Sequence, residues 1–257
     1  MGKLKVNYTH GNSIAQIILD DGKGNVLDYL MMEELQQTLN NLKEKKEIKL
    51  ITFEGEGKHF SFGASVEEHQ KEMAATMLKS FHQLFLTLRD LSIPTLAKIT
   101  GQCLGGGMEL AIMCNFLFAD KTAKFGQPEI VLGVFPPPAS IILPEKIGLA
   151  KAEELLLTGK TISAEEAKTI GLVNDVYEDK ATLEFGVSSF IEKYILTRSA
   201  SSLRYGVKAS RAKFNHVLSN FLPMLEQMYV TNLMNTKDAN EGIASFIEKR
   251  QAVWQDC

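Results

Sequence analysis

The first part of the chain alternates short apolar segments with one long amphipathic stretch. Leu4–Tyr8 and Ile14–Leu19 alternate or run apolar on either side of His10-Gly11-Asn12, which predicts two strands joined by a tight turn. From Asp28 to about Lys46 the apolar residues recur at helical spacing, and Asp28 is placed to cap the start of that helix. The pattern therefore predicts two strands followed by a helix.

The next segments repeat this alternation. Ile48–Phe53 predicts a short buried strand, Val66–Asp90 a helix and Ile93–Ile99 a further strand, with Pro94 near its edge. Strands that alternate with helices are typical of stacked βα units with parallel strands. We therefore expect the α/β class.

Shorter elements are predicted further along the chain. Beyond a glycine-rich turn and a short apolar helix, strands are predicted at Asn115–Ala119, Lys124–Phe125 and Leu172–Val176, separated by helices. Ser163 and Glu166 have the spacing of a capping box, in which each side chain accepts from the other's backbone N–H.

The C-terminal quarter predicts helices only. No strand is predicted after Asp179, and helical patterns cover roughly 180–197, 199–213, 216–235 and 238–251, the last opened by Asp238. We divide the chain into a core with the active site, residues 1–198, and a helical oligomerisation region, residues 199–257. That region carries apolar stripes that it cannot bury within itself: Phe214, Leu218, Phe221, Leu225, Phe246, Ile247, Val253 and Trp254.

Composition and charge narrow the function classes. Hydrophobic residues make up 45% and charged residues 23% of 257 residues, as in ordinary soluble globular proteins. The net charge is −3, and the dense charge run Lys43–Glu47 mixes both signs, which favours a solvated surface over a nucleic-acid patch.

Cysteine usage and the N-terminal sequence indicate the compartment. Cys103, Cys114 and Cys257 are an odd number without CxxC or Cys/His spacing, which argues against a disulfide framework and a zinc site. Met1–Asp20 lacks an apolar stretch of signal-peptide length, and no segment approaches ~18 consecutive apolar residues. We expect a cytoplasmic protein with no membrane segment.

The segment Gly101–Cys114 contains the most informative chemistry. Three successive glycines, residues 105–107, let the backbone approach a ligand, and the helix that they open presents unpaired N–H groups. A tight strand-to-helix turn would account for the glycines equally well. Glu109 favours the ligand-site interpretation, because a carboxylate in an apolar helix rarely persists without a partner or a function.

A second carboxylate and a second loop are candidates for the same site. Glu129 follows Gln127-Pro128 and precedes an apolar segment, although a surface-loop glutamate would fit this pattern too. Two carboxylates in apolar surroundings suit the acid–base addition of water, in which one accepts a proton and the other donates one. In His59–Val66 the Gly63-Ala64 step can direct a backbone N–H at a bound oxygen, and the alternative is a plain turn.

Three segments together resemble the signatures of the crotonase superfamily, in the family's order. They are Phe60–Ser65, Gly101–Glu109 and Phe125–Glu129, and Glu241–Arg250 is similar to the family's last helix. The resemblance extends over about residues 5 to 255. It implies that the Ala64 and Gly106 N–H groups bind a thioester oxygen and that Glu109 and Glu129 are the catalytic pair of an enoyl-CoA hydratase.

The resemblance also implies the fold, the substrate and the assembly. It implies a crotonase-like spiral of ββα units with a C-terminal all-helical region, an acyl-CoA substrate, no cofactor beyond that coenzyme A moiety, no metal, and a homotrimer or dimer of trimers. Neither nucleic acid nor a membrane is expected as a partner. The candidate CoA or substrate contacts are Phe62, Ser65, Val66, Gly105, Phe135 and Pro137.

Two departures from the common hydratase pattern bear on the substrate. Ser65 and Glu67 stand where many members have an acidic residue and a lysine, which leaves the adenine and phosphate contacts open. Gly133–Ser140 contains three successive prolines beside the expected acyl pocket, and prolines fix φ and remove N–H donors, so this wall should be stiff. Together with Phe60–His69, it most resembles the branch that hydrates cyclic dienoyl-CoA esters.

Other functions fit the sequence less well. Gly22–Leu27 lacks the third glycine of a dinucleotide fingerprint, and no serine lies in a GxSxG elbow. His59, His69 and His82 follow no metal-ligand spacing, which favours ordinary surface or packing roles. The remaining alternatives are an ordinary 2-enoyl-CoA hydratase of fatty-acid β-oxidation and a crotonase-fold RNA-binding or scaffold protein, the latter disfavoured by the absence of a basic stripe.

Overall fold

Two sheets organise the computed structural model, which describes residues 2–257. The strands are β1 (Leu4–Thr9), β2 (Ile14–Leu19), β3 (Leu50–Gly55), β4 (Thr95–Ile99), β5 (Gln102–Leu104), β6 (Phe116–Asp120), β7 (Lys124–Gly126), β8 (Thr161–Ser163) and β9 (Asp175–Tyr177). The α-helices are α1 (Tyr29–Leu42), α2 (Lys71–Leu91), α3 (Gly105–Met113), α4 (Pro137–Ile147), α5 (Leu149–Thr158), α6 (Ala164–Thr169), α7 (Lys180–Phe190), α8 (Ala200–Ser210), α9 (Ala212–Gln227) and α10 (Lys237–Ile247). Short 3₁₀ turns occur at Glu67–His69, Pro128–Leu132 and Leu233–Asn235, and π-helical turns at Ile191–Leu196 and Met228–Asn232.

The larger sheet has the strand order β1-β2-β3-β4-β6-β9. Only β1 and β2, which are joined by a tight turn, are antiparallel, and every other neighbouring pair is parallel. The inner strand β3 is buried at all six positions, as expected for a parallel strand that is covered on both faces.

The smaller sheet, with the order β5-β7-β8, produces the spiral. Two turns place one strand in the large sheet and the next strand in the small sheet before a helix follows, namely β4, β5 and α3 and then β6, β7 and α4. The loop after β3 joins this pattern, because Ser61 forms an isolated parallel bridge with Cys103 in β5. The crotonase-like spiral of ββα units is therefore confirmed, and its small sheet sets α3 beside the loop after β3.

The helices after residue 199 pack on the core and do not form a separate body. Leu218 and Leu222 of α9 are buried in the same hydrophobic core as the large sheet. Phe221, Phe246 and Trp254 of the apolar stripes remain roughly half exposed, at 46%, 55% and 46%. The oligomerisation role of residues 199–257 stays a prediction.

Several element boundaries differ from the sequence predictions. The strand expected at Ile48–Phe53 lies at Leu50–Gly55, because the turns after α1 extend to Glu47. The helix expected from Val66 begins as a 3₁₀ turn, and α2 starts only at Lys71.

The predicted helix caps are only partly correct. Asp28 caps α1 by accepting from Met31 N–H. Ser163 accepts from Glu166 N–H at 3.1 Å, but within residues 2–257 the reciprocal bond of a capping box is not formed. Thr236, and not Asp238, opens the last helix by accepting from Ala239 N–H at 3.2 Å.

Candidate active site

Helix α3 carries the first carboxylate into the core. It follows β5 directly and is buried at every position. Its first residue, Gly105, has φ of +49°, a left-handed conformation that favours glycine, and a Cβ there would lie 2.8 Å from Oε1 of Glu129. Glu109 lies one turn into this helix and is only 4% exposed.

One backbone hydrogen bond compensates the burial of Glu109. Ala139 N–H donates to Glu109 Oε1 at 2.9 Å. Burial raises the pKa of Glu109 well above its usual range, the neighbouring charge of Glu129 raises it further, and the Ala139 bond lowers it in part. Burial therefore disfavours the ionised form of Glu109, and the Ala139 bond offsets part of this cost.

Glu129 lies on the 3₁₀ turn that follows Gln127-Pro128 and is half-buried. Gln127 is fully buried, and with its amide nitrogen directed at the carboxylate it donates to both oxygens of Glu129 at 3.0 Å. Burial raises the pKa of Glu129 to about 8. Because the two carboxyls interact, they titrate as a pair that retains a proton near neutral pH.

Two backbone N–H groups face the same space. Gly106 is in the first turn of α3, where N–H groups have no acceptor within the helix, and a Cβ on Gly106 would lie 3.1 Å from the nitrogen of Ala64. Neither N–H has a hydrogen-bond acceptor among residues 2–257. Adjacent free donors at a helix N-terminus are suited to an oxygen that gains negative charge.

Ser61 holds the loop that presents Ala64. The fully buried Ser61 hydroxyl donates to Asn25 O at 2.7 Å and accepts from Gly63 N–H at 3.0 Å. Gly107 allows α3 to pack against this serine, since a Cβ on Gly107 would lie 2.5 Å from Ser61 Cβ. The two loops that supply the N–H groups are therefore fixed relative to each other.

These groups line one small cavity. Its lining includes nine of the ten site residues that the sequence predicts: Phe62, Ala64, Val66, Gly105, Gly106, Glu109, Glu129, Phe135 and Pro137. Ser65 does not line it, because its hydroxyl is directed at Glu67 Oε2, to which it donates at 3.0 Å. The structure thus brings together the segments that carry the candidate chemistry.

The cavity also has lining residues that the sequence analysis did not select. Met77, Leu78 and Phe81 of α2 and Ile243 of α10 contribute apolar side chains. Tyr229 contributes a phenol from the π-helical turn after α9. No local motif marks these positions, because they face the cavity only through the packing of distant helices.

The three histidines lie in three different environments. His59 Nδ1 accepts from Gln102 N–H at 3.0 Å, and His82 Nδ1 lies 2.5 Å from Glu226 Oε2. His69 was expected to have an ordinary surface or packing role, but its side chain also lines the cavity. Its Nδ1 lies 2.7 Å from Ser65 O, and burial lowers its pKa, so the ring is neutral with the proton on Nδ1. Across residues 2–257, no three His, Cys, Asp or Glu side chains cluster as a metal site.

Comparison with known proteins places this geometry in a family. Residues 9–257 match the family model described as enoyl-CoA hydratase/isomerase. The cyclohexa-1,5-dienecarbonyl-CoA hydratase of Thauera aromatica is 41% identical over 253 residues, which are 98% of this chain and 97% of that protein. The 2,3-dehydroadipyl-CoA hydratase of Escherichia coli (strain K12) is 31% identical over 228 residues, 88% of each protein.

Solved structures agree on the fold. The crystal structure of an enoyl-CoA hydratase from Mycobacterium avium subsp. paratuberculosis K-10 superposes with a TM-score of 0.86, covering 99% of both chains at 21% identity. In the described part of the chain, residues 2–257, no helix has the length and apolar character needed to span a bilayer.

Proposed function

The chain belongs to the enoyl-CoA hydratase/isomerase family, and we propose that it hydrates a conjugated cyclic dienoyl-CoA, cyclohexa-1,5-diene-1-carbonyl-CoA. It is an enzyme, a hydro-lyase of the enoyl-CoA hydratase type. The proposal rests mainly on one observation: two carboxyls with raised pKa values and two free N–H groups line a single cavity. The 41% identity with the Thauera aromatica hydratase supports the cyclic acyl group.

The first step is the attack of water on the β-carbon of the acyl group. One carboxylate accepts a proton from water as the oxygen bonds to that carbon, and the electron pair of the double bond moves to the thioester oxygen. The N–H groups of Ala64 and Gly106 would donate to this oxygen and stabilise its charge. The interacting pair retains one proton near neutral pH, and we assign the ionised, base role to Glu109, because Ala139 N–H at the start of α4 donates to its carboxylate.

The second step is protonation of carbon. In the cyclic diene, the charge spreads through the second double bond to C5, so the proton can be added there instead of at the α-carbon. Hydroxyl at C2 and hydrogen at C5 leave a double bond between C1 and C6, and renumbering gives 6-hydroxycyclohex-1-ene-1-carbonyl-CoA. Glu129, with its pKa raised to about 8, is the assigned proton donor.

The wall of the cavity supports a compact acyl group. Phe135, Pro136 and Pro137 line one side of the cavity and form its proline-rich wall. Pro137 and Pro138 are the first residues of α4 and have no N–H groups. The cavity volume is about 70 Å³, which is small for a ligand pocket and favours a compact acyl group.

A substrate panel tests the proposal. Purified enzyme is assayed with cyclohexa-1,5-diene-1-carbonyl-CoA and with crotonyl-CoA, and products are identified by mass and NMR. We expect a higher kcat/KM for the cyclic diene. A much higher kcat/KM for crotonyl-CoA would assign the chain to ordinary 2-enoyl-CoA hydratases instead, and an absence of turnover with salt-dependent RNA retention would favour a binding protein.

The biological setting follows from this substrate. The reaction would belong to anaerobic aromatic degradation through benzoyl-CoA, in the cytoplasm. The exposed Phe221, Phe246 and Trp254 support assembly as a homotrimer or a dimer of trimers. Coenzyme A enters only as part of the substrate.

A further inference from the structure

The Tyr229 hydroxyl is a polar group without a partner inside the cavity wall. The side chain is 1% exposed, and the hydroxyl forms no hydrogen bond within residues 2–257. Buried hydroxyls are nearly always hydrogen-bonded, because an unsatisfied donor loses its hydration without compensation. An unpartnered hydroxyl on the lining of a candidate active site therefore indicates a ligand atom as its partner.

The surroundings of Tyr229 show which part of a ligand it can meet. Its ring packs edge-on against Phe135 of the proline-rich wall, with ring centroids 5.4 Å apart. Burial raises the pKa of Tyr229, and the charges of Glu129 and Glu109 raise it further, in that order. The hydroxyl thus keeps its proton, and Tyr229 lines the same cavity as both carboxyls.

The backbone fixes this position. Tyr229 belongs to the π-helical turn Met228–Asn232, and π-turns within helices occur frequently at functional sites. One turn earlier in the chain, Glu226 contacts His82 of α2, with Glu226 Oε2 2.5 Å from His82 Nδ1. The phenol is therefore held between α2 and the proline-rich wall.

We propose that the Tyr229 hydroxyl hydrogen-bonds the oxygen that is added to the acyl group, the water before attack and the hydroxyl of the product afterwards. This inference rests on the proposed hydratase function. During attack, water transfers one proton to the glutamate base and keeps its second hydrogen as the product hydroxyl. Tyr229 neither gains nor loses a proton, so the step balances without a further reactant.

Tyr229→Phe removes only the hydroxyl and retains the ring contact with Phe135. For this variant we expect kcat for hydration to fall about tenfold, the scale of one hydrogen bond. We expect the melting temperature to be unchanged or higher, because an unsatisfied buried group is removed. Tyr205→Phe, at a side chain that is 69% exposed on α8, is the matched control and should change neither quantity.

A pair of ligands separates hydroxyl recognition from a structural role. The hydroxylated product and the saturated acyl-CoA with the same carbon skeleton are compared as competitive inhibitors at initial rates. In Tyr229→Phe the affinity for the hydroxylated ligand should fall about tenfold, and the affinity for the saturated ligand should stay the same. Equal losses for both ligands, or no loss for either, would overturn the proposal.

The same comparison distinguishes this inference from the proposed function. If the wild type hydrates crotonyl-CoA and not the cyclic diene, the ligand pair becomes 3-hydroxybutyryl-CoA and butyryl-CoA. If the wild type hydrates neither substrate, the hydratase proposal fails. Binding of the hydroxylated and saturated cyclic ligands is then measured by calorimetry. A hydroxyl-selective loss in Tyr229→Phe supports the inference when the wild type hydrates either substrate. When it hydrates neither, the role at the added oxygen fails with the proposed function, and the same loss shows only that Tyr229 recognises a hydroxyl on a bound ligand.

Discussion

The backbone N–H of Ala139 donates to Oε1 of Glu109 over 2.9 Å, which links the proline-rich wall to the candidate base. Pro137 and Pro138 precede this residue and have no N–H, so Ala139 provides the first donor of α4. The proline-rich segment Gly133–Ser140 therefore also positions a carboxylate. One oxygen of Glu109 is held by the helix, and the other is available for water.

Glu109→Gln should lower kcat for hydration by at least ~10², the scale for losing a positioned base. The amide oxygen can still accept from Ala139, so the fold should survive. Steady-state kinetics and circular dichroism measure both effects. Glu153→Gln, at an exposed position of α5, is the matched control and should keep wild-type turnover. Near-normal activity of Glu109→Gln would remove this residue from the mechanism.

Glu129→Gln should lower kcat by a similar factor and change the pH profile. In the wild type, kcat/KM should decline as pH rises through about 8, because Glu129 loses the proton that it donates to carbon. The residual activity of Glu129→Gln should lack this alkaline decline, since an amide does not titrate. If Glu109→Gln lacks the decline instead, the acid and base roles are exchanged.

The raised pKa of Glu129 also predicts a pH dependence of stability. The folded state keeps a proton up to about pH 8, whereas a carboxyl in the unfolded chain releases it near its ordinary pKa of 4.5. The folded state thus binds more protons between these values, and the free energy of unfolding should decrease as pH rises through this window. The melting temperature, measured from pH 5 to 9, should decrease more steeply with pH for the wild type than for Glu129→Gln. An equal decrease in both proteins would contradict the raised pKa of Glu129.

The sequence predicted most of the large sheet, because its strands alternate or run apolar and are bounded by turns. β5 and β8 were not predicted, since Gln102–Leu104 lies in the segment interpreted as a glycine-rich turn and Thr161–Ser163 directly precedes helix α6. β9 starts at Asp175, and not at Leu172, because Leu172 and Val173 are buried in the turn after α6.

The site residues divide in the same way. Glu109 and Ala64 lie in motifs whose glycines show that the backbone approaches a ligand, so they could be selected from the sequence. Tyr229 and Ala139 could not be selected from the sequence, because their roles arise only from contacts between distant parts of the chain. The residues of the Ala139–Glu109 hydrogen bond, for example, are 30 positions apart.

Phe135→Ala should reduce the preference for a ring. Removing this side chain widens the cavity beside Tyr229, so the ratio of kcat/KM for the cyclic diene to kcat/KM for crotonyl-CoA should fall about tenfold. The ratio is measured in parallel for Phe185→Ala, whose side chain is 76% exposed on α7. An unchanged ratio in Phe135→Ala would show that the wall does not select the acyl group.

The exposed apolar side chains of the C-terminal region predict assembly. Phe246 and Trp254 are 55% and 46% exposed, and a contact between subunits would bury them. Sedimentation should give a species of three or six times the protomer mass of 28.5 kDa, and Phe246→Glu should shift it towards the monomer. A stable wild-type monomer at micromolar concentration would rule out this role for the region.

The position of solvent deuterium in the product tests the central claim most directly. The wild-type enzyme converts cyclohexa-1,5-diene-1-carbonyl-CoA in D₂O, and NMR locates the deuterium. Hydration by 1,4-addition predicts deuterium at the substrate's C5, remote from the thioester, with the hydroxyl at the β-carbon. Deuterium at the α-carbon would show ordinary 1,2-addition and contradict the account.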